Sequence, residues 1–249
     1  MKSIKYFSVF LVILLSSFSL VAMNFGKSDS SACSTNVTRE FKFIQPGAAW
    51  FSLDNLNDYL VLQGLSEFND RSPSLTIGHR KEFNRLYFES GFTFRYHDDH
   101  TRANLKTSLF NGTYLWNTGF NTLPPTLPLT LFPFAGMGIG GTFLHVRSDS
   151  RAFSDAIVSN GPDITMWQGA FLLNAGVGSD FIVAKASHGF VVGIRGGYVF
   201  DPFTKKRDWR SRGTKITNLP TPDQSGPYVQ LVIGGWGERN KKAKVAERE

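Results

Sequence analysis

An alternation of apolar and polar residues with a period of two runs through most of the chain. It is clearest in "RLYFESGFTFRYH", Arg85 to His97, where Phe88 and Phe92 occupy one set of alternate positions and Glu89 and Arg95 occupy the other. Side chains of a β-strand point alternately to its two faces. The pattern therefore predicts a strand with one apolar face and one charged face.

The same alternation recurs in seven further segments. In 128–146 one face is apolar throughout and the other is rich in glycine, and 189–200 shows a similar division. An even number of strands suits a closed barrel of antiparallel strands. The eight predicted strands are 41–52, 74–80, 84–97, 102–117, 128–146, 164–181, 189–200 and 226–236.

The links between the predicted strands alternate between long and short, apart from one short member of the long set. If both termini lie on one side of the barrel, all the long links project from the other side. Transmembrane barrels of the bacterial outer membrane have short periplasmic turns and longer outer loops. The predicted outer loops are 53–73, 98–101, 147–163 and 201–225, and the predicted turns are 81–83, 118–127 and 182–188.

The direction of the apolar face separates a membrane barrel from a soluble lipocalin-like barrel, whose apolar face points inward. Predicted strands such as 84–97, 102–117, 128–146 and 164–181 exceed the 9–11 residues that cross a bilayer. The polar face is rich in glycine, and aromatic residues gather toward strand ends. A charge near the middle of a lipid-facing wall costs about 2–4 kcal/mol. We therefore expect the apolar face to meet lipid and the charged face to fill the lumen. The expected lumen network, in which the charges neutralise one another, consists of Glu89, Arg95, Lys106, Asp180 and Arg195.

The first residues carry an export signal. Lys2 and Lys5 precede an apolar run that reaches Val21, which predicts a secretory signal peptide over residues 1–22. A lead over 23–40, a barrel over 41–236 and a basic periplasmic tail over 237–249 are expected to follow. No later run of 18 apolar residues predicts a transmembrane helix. The formal charge of +7 does not by itself identify a partner.

The whole arrangement resembles the small eight-stranded bacterial outer-membrane barrels of the outer membrane protein A and X type. The resemblance rests on the signal peptide, the eight amphipathic strands, the alternating links and the final strand "GPYVQLVIGGW". It covers 41–236 as an architecture. It implies an all-β, eight-stranded antiparallel up-and-down transmembrane β-barrel. It also implies an outer-membrane location, and outer-membrane lipid, lipopolysaccharide and the barrel-insertion machinery as partners. No cofactor and no nucleic-acid partner are expected. The sequence "GERNKKAKVAERE" after Trp236 departs from the terminal aromatic of many such barrels.

Two motifs and the positions of the histidines bear on possible chemistry. "GMGIGG", 136–141, has the spacing of a dinucleotide fingerprint, but the strand pattern continues through it, which favours close packing inside the barrel. "HDDH", 97–100, carries residue types that bind metals, although a solvated outer turn is favoured. Some barrels of this size are lipid A acyl-chain enzymes with a His-x-Ser-Asn arrangement, which none of the histidines here begins. We predict no catalytic residues and no metal site.

Two loops carry features of their own. In 53–73, "DNLNDYLVLQG" predicts a short helix capped by Asp54, with Leu56 and Leu60 on one face and Gly64 at its end, lying across the barrel mouth or on the membrane surface. The last link has a basic cluster around Trp209 that could bind the phosphates of anionic glycolipid, or could serve as a solvated loop. Its members are Lys205, Lys206, Arg207, Arg210, Arg212 and Lys215.

An eight-stranded barrel has room only for its own side chains, so a general diffusion pore is not expected. The sequence favours a non-enzymatic outer-membrane protein with a structural or surface-interaction role. A soluble, exported lipocalin-like carrier of a hydrophobic ligand is the first alternative, and a lipid A modifying enzyme is the second.

Overall fold

The computed structural model describes residues 38–102, 105–124, 127–148, 163–185, 188–204 and 207–239. The predicted signal peptide, most of the predicted lead and most of the predicted tail lie outside the described residues. Among the residues that are described, no helix is long and apolar enough to cross a membrane.

All eight predicted strands are present, most of them longer at one or both ends than the alternation indicated. A short helix, α1 (Asp54–Leu62), follows the first strand. The strands are β1 (Thr38–Trp50), β2 (Arg71–Phe83), β3 (Leu86–Arg102), β4 (Leu105–Phe120), β5 (Leu129–Ser148), β6 (Asp163–Lys185), β7 (His188–Phe200), β8 (Trp209–Ser211), β9 (Thr214–Ile216) and β10 (Gly226–Arg239).

Eight of these strands close into a barrel in which every pairing is antiparallel. Neighbours in the chain pair from β1 to β7, β10 pairs with β7, and β1 pairs with β10 to complete the ring. The remaining two strands, β8 and β9, form a hairpin beside the start of β6, where Arg210 pairs with Trp167. The predicted eight-stranded antiparallel barrel is confirmed.

The two ends of the barrel differ. The end that carries both barrel termini, here called the terminal end, has the links 84–85, 121–128 and 186–187. The opposite end, here called the loop end, has the links 51–70, 103–104, 149–162 and 201–225. The predicted outer loop at 98–101 is wrong, because β3 continues to Arg102 by pairing with the start of β4. The register of this pairing is irregular between His97 and His100.

Along the strands the alternation separates a largely apolar exterior from an interior that holds the buried polar and charged side chains together with apolar ones. Ile139 is 58% exposed and Ile194 is 55% exposed, although both lie in the middle of their strands. The soluble carrier predicted as an alternative requires the opposite arrangement, with the apolar face around an internal ligand, and the structure contradicts it. Exposed apolar side chains on the wall include Ile44, Leu75, Ile77, Phe88, Phe92, Phe94, Trp116, Leu131, Met137, Ile139, Phe171, Val177, Ile194, Val229, Leu231 and Ile233.

The predicted helix in the first long link is present and closes the loop end of the lumen. Leu56 and Leu60 on its inner face are fully buried, in one apolar cluster with residues of the barrel interior and the loops. Asp54 does not cap the helix, because Leu53 holds the cap position and no side-chain cap bond forms; Asp54 lies in the first turn. Gly64 follows the helix with a φ of 75°, a backbone conformation that glycine adopts without strain.

Candidate functional site

A cluster of four charged side chains occupies the lumen toward the terminal end. Asp180 on β6 accepts hydrogen bonds from Arg80 on β2 at 2.6 Å and from Arg195 on β7 at 2.6 and 3.0 Å. Arg195 also lies 3.7 Å from Glu89 on β3. Each buried arginine thus has a carboxylate partner, and Glu82 is also buried near Arg80; pairing of this kind is the condition under which charges are tolerated in a dry interior.

The packing around this cluster is tight and largely aromatic. The guanidinium of Arg80 lies 4.2 Å from the ring centre of Phe41, and that of Arg195 lies 4.4 Å from the ring centre of Phe132. Gly193 leaves the space that the Asp180 carboxylate occupies, because a Cβ there would collide with Oδ1 of Asp180. Cation–π contacts of this kind strengthen when water is excluded. The cluster of Arg80, Glu89, Asp180 and Arg195, here called the plug, fills this part of the lumen.

The sequence prediction and the structure overlap in part at this plug. The structure brings Glu89, Asp180 and Arg195 together and adds Arg80, which the sequence interpretation missed because the predicted strand 74–80 ended at that residue. Continuing the alternation of β2 beyond residue 80 would have assigned Arg80 to the inward face of the strand. Arg95 lies elsewhere in the lumen, as described next. Lys106 takes the outward register of β4 near the loop end, where its neighbour Thr107 faces inward.

A second polar network crosses the lumen in the half nearer the loop end. Arg95 donates to Asn111 at 3.2 Å, Asn111 donates to Thr142 and Gln224 at 3.0 Å each, and Gln224 donates to Thr142 at 2.7 Å. The Arg95 guanidinium also lies 4.7 Å from the ring centre of Phe51. Because these bonds span residues of β3, β4, β5 and the last link, they tie the loop to the barrel wall.

Between the two networks, further hydrogen bonds join adjacent strands or strands separated by one other strand. Gln230 donates to Thr76 at 2.8 Å, and Thr76 lies 2.7 Å from Thr93. Tyr228 donates to Asn174 at 3.1 Å. The lumen is thus filled by side chains from one end to the other, which is the arrangement expected for a barrel of eight strands.

The last long link folds over the loop end. Trp209, which the sequence placed at the centre of a basic cluster, is fully buried in the apolar cluster below α1 and donates from Nε1 to the carbonyl oxygen of Pro220 at 2.9 Å. The β8–β9 hairpin turns at Arg212 and Gly213, with φ values of 47° and 82°. Positive φ at both central residues is typical of the tight turn that matches the twist of a hairpin.

The predicted basic cluster is divided between structural and exposed positions. Arg207 forms a close ion pair with Asp201 and donates to the carbonyl oxygen of Gly169 at 3.1 Å. Burial raises the pKa of Asp201, although Arg207 acts in the opposite direction. Lys215 pairs with Asp208 at 2.8 Å on the surface. Arg210 and Arg212 are exposed on the hairpin, while Lys205 and Lys206 lie outside the described residues.

The motifs "HDDH" and "GMGIGG" are parts of the barrel strands β3 and β5. His97 packs against Phe51 and Phe68, and its Nδ1 lies 2.9 Å from the carbonyl oxygen of Asn69; the side chains of 98–100 lie outside the described residues. Within the described part of the chain, no group of three or more metal-binding side chains comes together. The glycines of "GMGIGG" lie in β5, where a Cβ at Gly138 would collide with the carbonyl oxygen of Tyr114.

One serine–histidine pair lies on the outer wall. Oγ of Ser90 on β3 lies 3.3 Å from the ring nitrogens of His79 on β2. The pair faces outward near the terminal end, with His79 opposite Lys42 in the sheet register. A barrel enzyme acting on surface lipid would carry such a pair near the loop end, where the long links could cover a substrate.

No family model matches the chain, and no curated protein matches it. Solved structures with a similar fold include the attachment invasion locus protein Ail of Yersinia pestis in complex with the heparin analogue sucrose octasulfate, with 11% identity over 82% of this chain and 97% of that chain and a TM-score of 0.40. A major outer membrane protein from Thermus thermophilus has 12% identity over 80% and 99% of the two chains and a TM-score of 0.44. The outer membrane protease OmpT from Escherichia coli has 9% identity over 86% and 100%, with a TM-score of 0.36. These likenesses concern the fold alone.

Proposed function

We propose that the protein is a non-enzymatic barrel of the bacterial outer membrane, which holds a plugged, rigid cylinder in lipid and presents its loop end at the cell surface. The observation that carries this proposal is the apolar middle of the exterior of a closed barrel, with Arg80, Glu89, Asp180 and Arg195 inside it. Water would make such a wall unfavourable, since a large continuous apolar surface is rare on soluble proteins. Lipid makes the same wall favourable.

Three features support a structural or surface-interaction role over transport or catalysis. The plug around Asp180 and the network around Arg95 fill the lumen at two levels. Helix α1 and Trp209 close the loop end above them. The Ser90–His79 pair is remote from the loop end. In the proposed membrane, the terminal end faces the periplasm and the loop end faces the outside of the cell.

The exposed side of the β8–β9 hairpin is the surface that we assign to contact with anionic glycolipid, such as lipopolysaccharide. Arg210 and Arg212 project there, and guanidinium groups bind phosphate through paired hydrogen bonds. Arg207 belongs to the structure of the loop rather than to this surface, because Asp201 and Gly169 hold it.

The membrane barrel is tested by gel mobility in SDS, comparing unheated with boiled samples of the membrane-extracted protein. A folded barrel resists SDS when cold and migrates differently after boiling. Recovery in the soluble fraction with no heat-dependent shift would overturn the proposal.

The glycolipid surface is tested by binding of lipopolysaccharide to the variant R210Q/R212Q. We expect weaker binding than for the wild type, by about fivefold for each arginine removed. The control K215Q alters a neighbouring residue that is already paired with Asp208. Equal binding by all three proteins would discard the hairpin as the contact surface.

A further inference from the structure

The outer wall of the barrel has a polar sector near the terminal end. Glu40 and Lys42 on β1 and His79 and Lys81 on β2 occupy outward positions of adjacent strands. At the same end, several outward side chains of other strands are large and apolar. They include Phe88, Leu131, Phe181, Val183 and Phe190, each exposed by 41% or more. Among the described side chains, Glu40, Lys42, His79 and Lys81 therefore form a polar sector beside apolar parts of the wall.

This sector is also a groove. A concavity of about 790 Å³ runs along β1 and β2 to the edge of β10. The charged residues line its part nearer the terminal end, and Ile44, Ile77 and Ile233 line its continuation toward the middle of the wall. These isoleucines are opposite one another in the sheet register, since Ile44 pairs with both Ile77 and Ile233. The groove therefore has a cationic head and an apolar body.

The groove carries a positive charge that its own residues leave unbalanced. Lys81 lies 3.6 Å from Glu40, whereas Lys42 forms no ion pair with any residue that the structure describes. An ammonium group on a lipid-facing wall is unfavourable, and it becomes more so toward the bilayer centre. Lys42 lies two residues closer to the middle of β1 than Glu40 does, so it needs a negatively charged neighbour more than the other residues of the groove do.

We propose that this groove binds one anionic glycerophospholipid of the periplasmic leaflet, with the phosphate held by Lys42 and Lys81 and an acyl chain lying against Ile44, Ile77 and Ile233. The β1 strand has 13 residues, and about 9–11 residues of a tilted strand cross the hydrocarbon. A span of that length centred on β1 leaves Lys42 inside the hydrocarbon, two residues from the middle of the strand, so its extended side chain must reach outward toward the level of the phosphates. Lipid phosphate and ammonium groups form strong, charge-assisted hydrogen bonds.

The charge balance favours an anionic lipid over a zwitterionic one. Two lysines and one glutamate leave one positive charge, which a phosphatidylglycerol headgroup neutralises and a phosphatidylcholine headgroup does not. His79 lies opposite Lys42 in the sheet register and beside Ser90 at 3.3 Å, and it offers a further polar contact to the glycerol. The proposal rests on the membrane-spanning barrel proposed above.

The test measures the affinity of the folded protein in non-ionic detergent for phosphatidylglycerol and for phosphatidylcholine with identical acyl chains, by native mass spectrometry. We expect the wild type to bind phosphatidylglycerol about fivefold more tightly, and K42Q/K81Q to bind the two lipids equally. The control R71Q/R147Q removes two exterior charges at the loop end and should retain the preference. Equal affinity of the wild type for both lipids, or loss of the preference in the control as well, would overturn the site.

Two further measurements keep the outcome decisive. If K42Q/K81Q does not fold, K42Q alone serves, because Lys42 supports no ion pair in the described structure; an unchanged preference in that variant contradicts the proposal. Displacement of phosphatidylglycerol by equimolar lipopolysaccharide would assign the groove to that lipid instead. A wild type that shows the heat-dependent gel shift but no lipid preference overturns the groove and leaves the barrel standing.

Discussion

The guanidinium of Arg195 holds the carboxylate of Asp180 by two parallel hydrogen bonds, at 2.6 Å and 3.0 Å, with neither side chain more than 2% exposed. The second arginine, Arg80, completes the coordination of Asp180 from the other side of the lumen. One carboxylate thereby connects β2, β6 and β7, strands that are not all neighbours in the barrel. Asp180 is the residue on which the plug depends most.

Replacing Asp180 with asparagine should destabilise the barrel strongly. The variant removes the carboxylate that both Arg80 and Arg195 contact, and breaking a buried ion pair from one side costs about 3–5 kcal/mol. Urea unfolding in phospholipid vesicles, followed by tryptophan fluorescence, measures the change. The control Asp208→Asn breaks the exposed pair with Lys215 and should cost less than about 1 kcal/mol. Similar costs for the two variants would show that the plug does not stabilise the fold.

Replacing Gly193 with alanine should disturb the same plug through its packing. A Cβ at this position meets Oδ1 of Asp180 and the carbonyl oxygen of Ser179, and overpacking of this kind costs about 1–3 kcal/mol. Gly196 on the same strand faces outward, where the nearest atom to an added Cβ is 3.9 Å away. The same unfolding measurement should therefore find Gly196→Ala close to the wild type. If both variants unfold alike, the Cβ at position 193 is accommodated by a shift of the carboxylate.

The barrel could be predicted from the sequence because each strand repeats the same local rule. A period of two identifies a strand and its two faces without knowledge of its partners, and the long and short links then order the strands. The boundaries were less predictable, since pairing extends a strand beyond its alternating part. β3 shows this, because the start of β4 pairs with residues up to Arg102 and draws "HDDH" out of the predicted outer loop.

The plug could be predicted only in outline. Charges on the inward register indicate that a network must exist, but not which charges meet, since that depends on the stagger of strands far apart in the chain. Arg80 and Asp180 are 100 residues apart in sequence. Arg95 has the same inward register as Glu89, yet it lies toward the loop end and contacts Asn111 instead. Trp209 lies among basic residues in the sequence, which gives no sign that the folded hairpin buries it.

The exterior wall makes a prediction that separates lipid from water as its environment. Ile194 lies at the middle of β7, six residues from either end, and is 55% exposed. Arginine there should reduce the free energy of folding into vesicles by about 2–4 kcal/mol. The control Leu62→Arg introduces the same charge on α1, where the side chain is 81% exposed beyond the wall, and should have little effect. A tolerated arginine at position 194 would place this wall outside the hydrocarbon.

Helix α1 should be held over the loop end mainly by its leucines. Leu56 is fully buried and Leu62, on the same helix, is 81% exposed. Truncating a buried leucine to alanine costs about 2–5 kcal/mol, and because the barrel strands are held by their own pairing, the loss should appear as local opening of the 51–70 link. Chymotrypsin cleavage within this link of the folded protein, located by mass spectrometry, should be faster by about tenfold or more for Leu56→Ala. Leu62→Ala should be cleaved at the rate of the wild type. Equal cleavage of the two variants would mean that the hydrogen bonds of Asn57 with Phe68, at 2.9 Å in both directions, hold the helix in place without the apolar cluster.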